Sequence, residues 1–536
     1  MPRPPSHRRR TPPLPLALLV LAAAGAWLPA RAQTQETTPA AGTPPARAAA
    51  AADAAEAAID TFALRAHTRF LADDMLRGRD AGTRGGRLAG LYIASRLRAL
   101  GLEPASADGG YLQPVPLLRA RVSDATTRAV VAHDAGRDSF PHGAEIALDI
   151  GGRSAYRDFR GEAVFAGTAA LAADALADAG PLDGRIVVIL GALGRAAPDL
   201  LPDWIARGAE GVIQLVPDPV RFERYARSRE DFRLVVDADV ESAMWQPRIP
   251  VLIGGPAITR ALLADADLAP DAFSGERPFE ALPLERTVET SVEVRFDPLD
   301  AANIAAVVPG TDPERRDEFV AYTAHYDHLG VGEPDADGDS IYNGFSDNAA
   351  GVAMLLAIAE AMRDDPPARS TLFLFFTAEE RGLLGSIFYT AEPLVPLERT
   401  VAVINLDAGA PPAPPAEWSI AGGRASTLGA LAAEVAEASG FSAEPSGASP
   451  NSDHWPFLRA GVPAAFLIPG AEWEGVDEDR QRELSSRWNH YHRPADEWAA
   501  EFPFTGLRRY AGFALALGRA VADATDRPRM LPADPR

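Results

Sequence analysis

An α/β protein with a mixed, mostly parallel central sheet and helices on both faces is the fold class this sequence predicts, and three observations predict it. Strand-length apolar runs at Asn303–Val308, Phe319–Ala324, Thr371–Phe376, Thr400–Leu406 and Ala464–Ile468 alternate with helical patterns. Those patterns follow Asp347, Gly382 and Ser426, with a last one over Phe502–Ala522. An acid or imidazole sits just past several of the runs: His325, Glu379, Glu380 and Asp407. In open α/β sheets ligands gather at those carboxyl ends. Finally, the texture changes from about Val122 to Pro283, where short strand-like pieces are punctuated by Gly161, Gly184, Gly211 and Gly254. That stretch predicts a separate, mainly β insert.

The totals bound what such a protein does. At 536 residues the chain exceeds what one hydrophobic core usually spans. It is 47% hydrophobic and 24% charged, a globular balance. A formal charge of −22 argues against nucleic-acid binding, which needs a basic footprint. With no cysteine, disulfides, thiolate zinc ligands and cysteine nucleophiles are excluded. With no lysine, so are Schiff-base chemistry and the P-loop lysine.

In chain order, residues 1–32 read as a signal peptide. Arg8, Arg9 and Arg10 precede the apolar stretch Leu14–Leu28, and Ala30-Arg31-Ala32 is a small-x-small cleavage site. The apolar stretch is short for a membrane span, and no later stretch reaches that length, so a soluble periplasmic or extracellular protein is expected. Residues 33–54, rich in Ala, Thr and Pro, read as a disordered linker. Residues 55–121 form an N-terminal helical part, with Ile59, Phe62, Ala66 and Phe70 on one stripe and Ile93, Leu97 and Leu100 on another. His67 beside the first stripe reads as a partly buried structural histidine, and Leu76–Thr83 between the helices as a turn-rich loop outside any site. In the insert, 122–283, strands are expected at Glu162–Ala166, Arg185–Leu190, Val212–Leu215 and Ile249–Ile253, with His133 and His142 in surface loops. Residues 284–525 carry the second part of the α/β body, and 526–536 a tail.

The residues with chemistry cluster in that second part. His325 and Asp327 are two apart, so on extended chain they face one side, and a metal-bound imidazole gives its other N–H to such a carboxylate. Asp347, in Gly344-Phe345-Ser346-Asp347-Asn348, precedes a helix; it reads as an N-cap and, without exclusion, as an acid whose two oxygens bridge two ions. Glu379 and Glu380 are adjacent acids after an apolar strand, an arrangement that gains from a cation: one carboxylate binds metal, the other takes a proton from activated water. A solvated first helical turn is the bland alternative. Asp407 ends a buried strand, and His492 is the favoured distant imidazole, with His490, His328 and His454 at lower odds. Three carboxylates and two imidazoles offset most of the charge on two divalent ions, and a sulfur-free set suits zinc, with cobalt or manganese as substitutes. Asp335, Asp337 and Asp339 fail the EF-hand register and read as a solvated loop.

The motifs AHYDHLG, NGFSDNAAG, FTAEERGLLGS, NLD, SDHWPFLRAGVPAAF and YHRPADEW, in that order, resemble the co-catalytic di-zinc aminopeptidase family of bacterial secreted aminopeptidases and glutamate carboxypeptidase relatives. The resemblance covers roughly the last two hundred residues and LRGRDAGT near the start. It implies a zinc-exopeptidase fold acting on peptides, with His325, Asp347 and Asp407 on one zinc and Asp347, Glu380 and His492 on the other. It further implies Glu379 as general base, Asp327 as orienter of His325, Tyr491 as hydrogen-bond donor, a cis peptide after Asp347, and Asp453 and His454 in the pocket wall. PLDGRIVVILG, WIARGAEGVIQL and RIPVLIGG resemble a protease-associated domain, which implies a substrate-shaping role for the insert. After Asp407 the chain runs Ala-Gly-Ala, where relatives carry a larger apolar residue. A carboxypeptidase, a glutaminyl-cyclase-like acyltransferase and a non-catalytic binding protein are the competing readings; the full ligand set disfavours the last two.

Overall fold

The computed structural model describes residues 44–106, 108–148, 153–227, 233–237, 249–264, 266 and 279–532. The expected signal peptide lies outside the described residues.

Nine strands form one sheet: β1 (Glu103–Pro104), β2 (Leu112–Val115), β3 (Ala301–Val308), β4 (Phe319–His325), β5 (Ser370–Phe376), β6 (Thr400–Asn405), β7 (Glu417–Ala421), β8 (Ser442–Pro445) and β9 (Ala464–Pro469). The spatial order is β1-β3-β5-β4-β6-β9-β7-β8, with β2 beside β3. Its centre, β5-β4-β6-β9, is parallel. Antiparallel β3 and β7 flank it. The sheet is therefore mixed and mostly parallel at the core, as the alternation predicts.

Side chains alternate between the two faces with period two. On β4, Val320, Tyr322 and Ala324 enter one layer and Ala321 the other. The first layer holds the helices Thr61–Leu71, Arg84–Ala99, Ala350–Asp364, Leu428–Ala438 and Thr505–Asp523; the second holds the shorter Leu384–Ala391 and His454–Arg459. Every residue of β5 is buried. Full burial of each Leu or Phe there contributes about 1.5–3 kcal/mol. The segment Phe345–Asp364 is apolar and long enough to cross a membrane, contrary to the reading that no later stretch is; it is 89% buried inside the protein, as a core helix covered on all sides would be.

Two further expectations are corrected. The linker reading of 33–54 fails over 44–54, which belong to the helix Pro44–Ala57. Alanine is the strongest helix former, and Ala52 and Ala55 are buried. Arg508 Nε donates to the Glu56 carbonyl and Arg509 pairs with the Glu56 carboxylate, which tie this helix to the last one. The tail reading fails over its first residues: Thr427 N–H donates to Arg529 O and Leu531 N–H to Ala425 O.

Between β2 and β3 lies a second sheet of eight strands. Its middle run, Arg160–Thr168, Arg185–Leu190, Gly211–Leu215 and Val251–Gly254, is parallel, and helices Ala169–Ala175, Ala197–Ala206 and Pro219–Arg227 lie in its connections. Leu282–Ser291 also belongs to this sheet, so its pairing extends past Pro283. His142 is not a surface loop residue. It is 8% exposed; Nδ1 lies 2.6 Å from Asp124 and Nε2 accepts from Leu148 N–H. His133 ends the strand Arg128–His133 and faces Asp138. A three-stranded ribbon, Arg233–Val236, Leu117–Val122 and Val294–Pro298, joins the two sheets, and its Leu234 and Val236 pack with Ala378 and Leu384 beside the acidic turn 379–380.

Candidate metal centre

The ends of central strands deliver His325, Glu379, Glu380 and Asp407, while Asp347 comes from the segment before a helix and His492 from the turn after the helix Glu478–Trp488. β4 ends on His325, and Tyr326 N–H still bonds Phe376 O, so the end of β4 is pinned against that of β5. β5 runs into the turn Thr377–Leu383, where Ala378 and Leu383 take left-handed φ of 56° and 60°. Glu379 and Glu380 sit in this turn, ahead of the helix at Leu384, so they are not a solvated first helical turn. β6 ends at Asn405; Leu406 N–H reaches Thr323 O, and Asp407 follows. Before the helix Ala350–Asp364, the peptide Asp347–Asn348 is cis. Asn348, not Asp347, does the capping there: its Oδ1 accepts from Gly351 N–H and its Nδ2 donates to Leu406 O. The Asp347 carboxylate is thereby left for another use.

The Asp347 oxygens face two ways. Oδ1 lies 3.1 Å from His325 Nε2, which is itself 2.8 Å from Asp407 Oδ1. Oδ2 lies 3.1 Å from His492 Nε2, which is 3.2 Å from Glu380 Oε2. Two clusters result, each with its ligand atoms within 4.8 Å of one another: His325, Asp347 and Asp407; and His328, Asp347, Glu380 and His492. All five residues expected as metal ligands converge. His328, ranked lower in the sequence, stands with the second cluster, its Nδ1 2.6 Å from Glu380 Oε1. The turn after His325 folds it back beneath Glu380, which the one-dimensional spacing does not reveal.

Electrostatics fit the same arrangement. The Asp347 carboxyl is held well below the usual range; burial opposes this, and the imidazoles of His325 and His492 overcome it. His492 is pushed up to about 10, against burial, by Asp347 and Glu380. Glu379 goes the other way: burial, then the charges of Asp407, Asp453 and Glu380, raise it well above a normal carboxyl. Buried acids and imidazoles this close either share protons or hold cations, and an all-oxygen-and-nitrogen donor set of these types fits zinc. Glu379 stays at the edge, its Oε2 4.0 Å from His325 Nε2, and its N–H donates to Asp327 Oδ1.

The remaining expected residues fall as follows. His325 Nδ1 is 3.1 Å from the Asp327 main-chain oxygen and 3.7 Å from its carboxylate, so the backbone and not the acid makes the contact expected to orient the ring. Tyr491 is 65% exposed and its ring stacks on His492 at 3.8 Å. Asp453, pushed up to about 7 by burial first, accepts from Ser386 Oγ; His454 is buried against Phe466. His490 is turned away to Arg487 O. Asp335 turns inward to its own loop, accepting from Asp337 and Asp339 N–H. His67 is buried and hydrogen-bonded to Tyr92, as expected.

Sequence reasoning missed Asp496 and Ser452. The Asp496 carboxylate, 2% exposed, accepts from the N–H groups of Ser346 and Asp347 and so fixes the loop that carries the shared acid. Ser452 Oγ donates to Asp407 Oδ2 and accepts from Asn405 Nδ2. Their only signal lay in the quoted segments YHRPADEW and SDHW. In front of the clusters opens a cavity of about 460 Å³, walled by Ala408, Gly409, Phe466 and Ile468 and reached by Glu379 and Tyr491.

Known proteins resemble this chain in part of its sequence and in its fold. A mouse protein, aminopeptidase NAALADL1, is 33% identical over 141 residues, 25% of this chain and 17% of its own length. Aminopeptidase YwaD of Bacillus subtilis strain 168 is 28% identical over 188 residues, 33% of this chain and 36% of its own length. The chain thus spans about a sixth to a third of these curated relatives. An aminopeptidase from Aneurinibacillus sp. strain AM-1 superposes with a TM-score of 0.50 at 19% identity, covering 90% of this chain and 97% of that one, and so shares its fold. Residues 303–517, which contain every residue of the two clusters, match the model of peptidase family M28.

Proposed function

We propose that this protein is an exported, zinc-dependent aminopeptidase that removes residues from the N-termini of peptides. The observation that carries the reading is the shared Asp347, whose two oxygens face separate acid–imidazole clusters while Glu379 stands outside both. His325, Asp347 and Asp407 would hold one ion; Asp347, Glu380 and His492, with His328 against Glu380, would hold the other. When bound, such ions polarise a carbonyl and acidify water. The chain's own groups do the rest. Glu379 takes the proton from the attacking water and returns it to the leaving amine; its raised carboxyl suits that exchange. The exposed Tyr491 hydroxyl stands at the cavity to donate to the developing oxyanion. Ala408, Phe466 and Ile468 offer an apolar wall to the residue being removed.

The end of the peptide that enters is argued from charge. Acids reach the cavity at Asp347, Glu379 and Asp407, and among the described residues lining it there is no arginine. Those acids are taken up by the metal centre and the base, but an α-carboxylate finds no guanidinium clamp in the cavity. This favours aminopeptidase over carboxypeptidase. Digestion of a peptide library read by mass spectrometry is expected to give ladders shortened from the N-terminus. Ladders shortened from the C-terminus would overturn the assignment. Export rests on residues 1–32, and N-terminal sequencing of the mature protein is expected to begin at Gln33. The insert, on its resemblance to a protease-associated domain, limits which peptides reach the cavity, and trimming of long against short peptides by a variant altered there tests that role.

A further inference from the structure

Leu76–Thr83 reads in sequence as a loop between two helices. In the structure it contains three consecutive left-handed residues, Arg77, Gly78 and Arg79, with φ of 48°, 66° and 51°. L-residues avoid that region, and such a run persists only where its surroundings hold it. A Cβ on Gly78 would meet Gly330 O at 2.3 Å and Tyr342 O at 2.5 Å, so the segment is pressed against the loop that leads to Asp347.

Arg79 is what the run delivers. Its side chain is 1% exposed. Nε donates to Tyr326 O at 3.0 Å, Nη1 to Leu71 O at 2.6 Å and to Asn343 O, and Nη2 to Gly344 O at 3.0 Å. Tyr326 directly follows His325, and Gly344 lies three residues before Asp347. One guanidinium therefore joins the N-terminal helix Thr61–Leu71, the strand end bearing His325 and the loop bearing Asp347. All of its hydrogen bonds among the described residues go to main-chain carbonyls, none to a carboxylate. A buried cation needs compensation, and the acids whose charges reach it are Asp347, Asp496, Asp327 and Glu380. A planar fork with five N–H donors spans these carbonyls; an ammonium, with three donors on one atom, does not.

We propose that Arg79 is a positioning residue for the metal centre: it fixes the His325 and Asp347 segments relative to each other, and its permanent charge keeps Asp327, Asp347, Glu380 and Asp496 gathered for the incoming ions. This rests on the metal-centre reading above. The test compares full-length wild type, Arg79→Lys and Arg79→Gln by zinc affinity in chelator competition, by the visible spectrum of the cobalt-loaded protein, and by kcat and KM. In Arg79→Lys, zinc affinity is expected to fall about 10–100-fold, the usual effect of removing a group that orients metal ligands. The cobalt spectrum shifts, and kcat drops with KM nearly unchanged. Arg79→Gln, which also loses the charge, falls further. Wild-type zinc affinity and cobalt spectrum in a folded Arg79→Lys overturn the proposal, whatever its thermal stability. Failure of both variants to fold at saturating zinc also overturns it, because a residue acting through the centre is rescued by the metal. Wild type that takes up no zinc removes the metal-centre reading itself, and is distinguishable from either result.

Discussion

The two large sheets of this protein share an architecture and differ in chemistry. Both have four parallel strands at the centre: β5-β4-β6-β9 in one, and Arg160–Thr168 to Val251–Gly254 in the other. In the first, the residues at and after the strand ends are His325, Glu379, Glu380 and Asp407. In the second the next residues are Ala169, Gly191, Val216 and Gly255, and within four residues of those ends Asp218 is the one acid and there is no histidine. Parallel strands bring their carboxyl ends to one edge in either case. Only where those ends carry acids and imidazoles does the edge become a site, and there Asp496, Ser452 and Asn348 hold the ligands in place. Fold supplies the convergence; a handful of side chains supplies the function.

The contrast is broken first by removing metal. Chelation is expected to abolish peptide hydrolysis while leaving far-UV circular dichroism near native, and added zinc restores activity. Activity indifferent to chelation would place the chemistry elsewhere. Next comes Glu379→Gln, which keeps the metal ligands and removes the base. Turnover should drop about a hundred- to ten-thousandfold, with bound metal unchanged in elemental analysis.

A smaller effect sharpens the electrostatic side. Asp453 is pushed up to about 7, from an ordinary 3.8, by burial first. Through that window the folded chain keeps a proton that the unfolded chain has released, so this group costs stability as pH rises from about 4 to about 7. In the chelated protein, Asp453→Asn should raise the unfolding temperature at about pH 8 and change it little at about pH 4. An equal shift at both pH values would remove the carboxylate's titration as the cause. The smallest effect belongs to the insert. His142→Ala leaves Leu148 N–H without its acceptor, at a cost of about 1–3 kcal/mol, and denaturant unfolding should register it. Hydrolysis of a dipeptide substrate should not change, since His142 lies beside the other sheet, bonded to its strand Ile146–Leu148.

Much of this was legible in the sequence because buried strands and helices write different periods. The expected strands Phe319–Ala324, Thr371–Phe376 and Arg185–Leu190 meet the observed ones within a residue. His325, Glu380 and Asp407 were legible because strand ends are countable; Asp347 and His492, which lie off the strand ends, were legible through the motifs NGFSDNAAG and YHRPADEW. Less legible were groups whose role depends on a turn. His328 joins its cluster through a reversal after β4, and Asp496 works by accepting backbone N–H bonds, which leave no pattern in side chains. Arg79 looked like loop because three left-handed residues carry no periodicity. The helix Pro44–Ala57 was hidden because an alanine-rich stretch reads alike as linker and as helix until a neighbour covers it.

Zinc-edge anomalous diffraction from crystals of the active protein tests the centre most directly. Two peaks, one on the His325–Asp407 side of Asp347 and one on the Glu380–His492 side, are the predicted result. A single peak, or none, would contradict a shared acid bridging two ions.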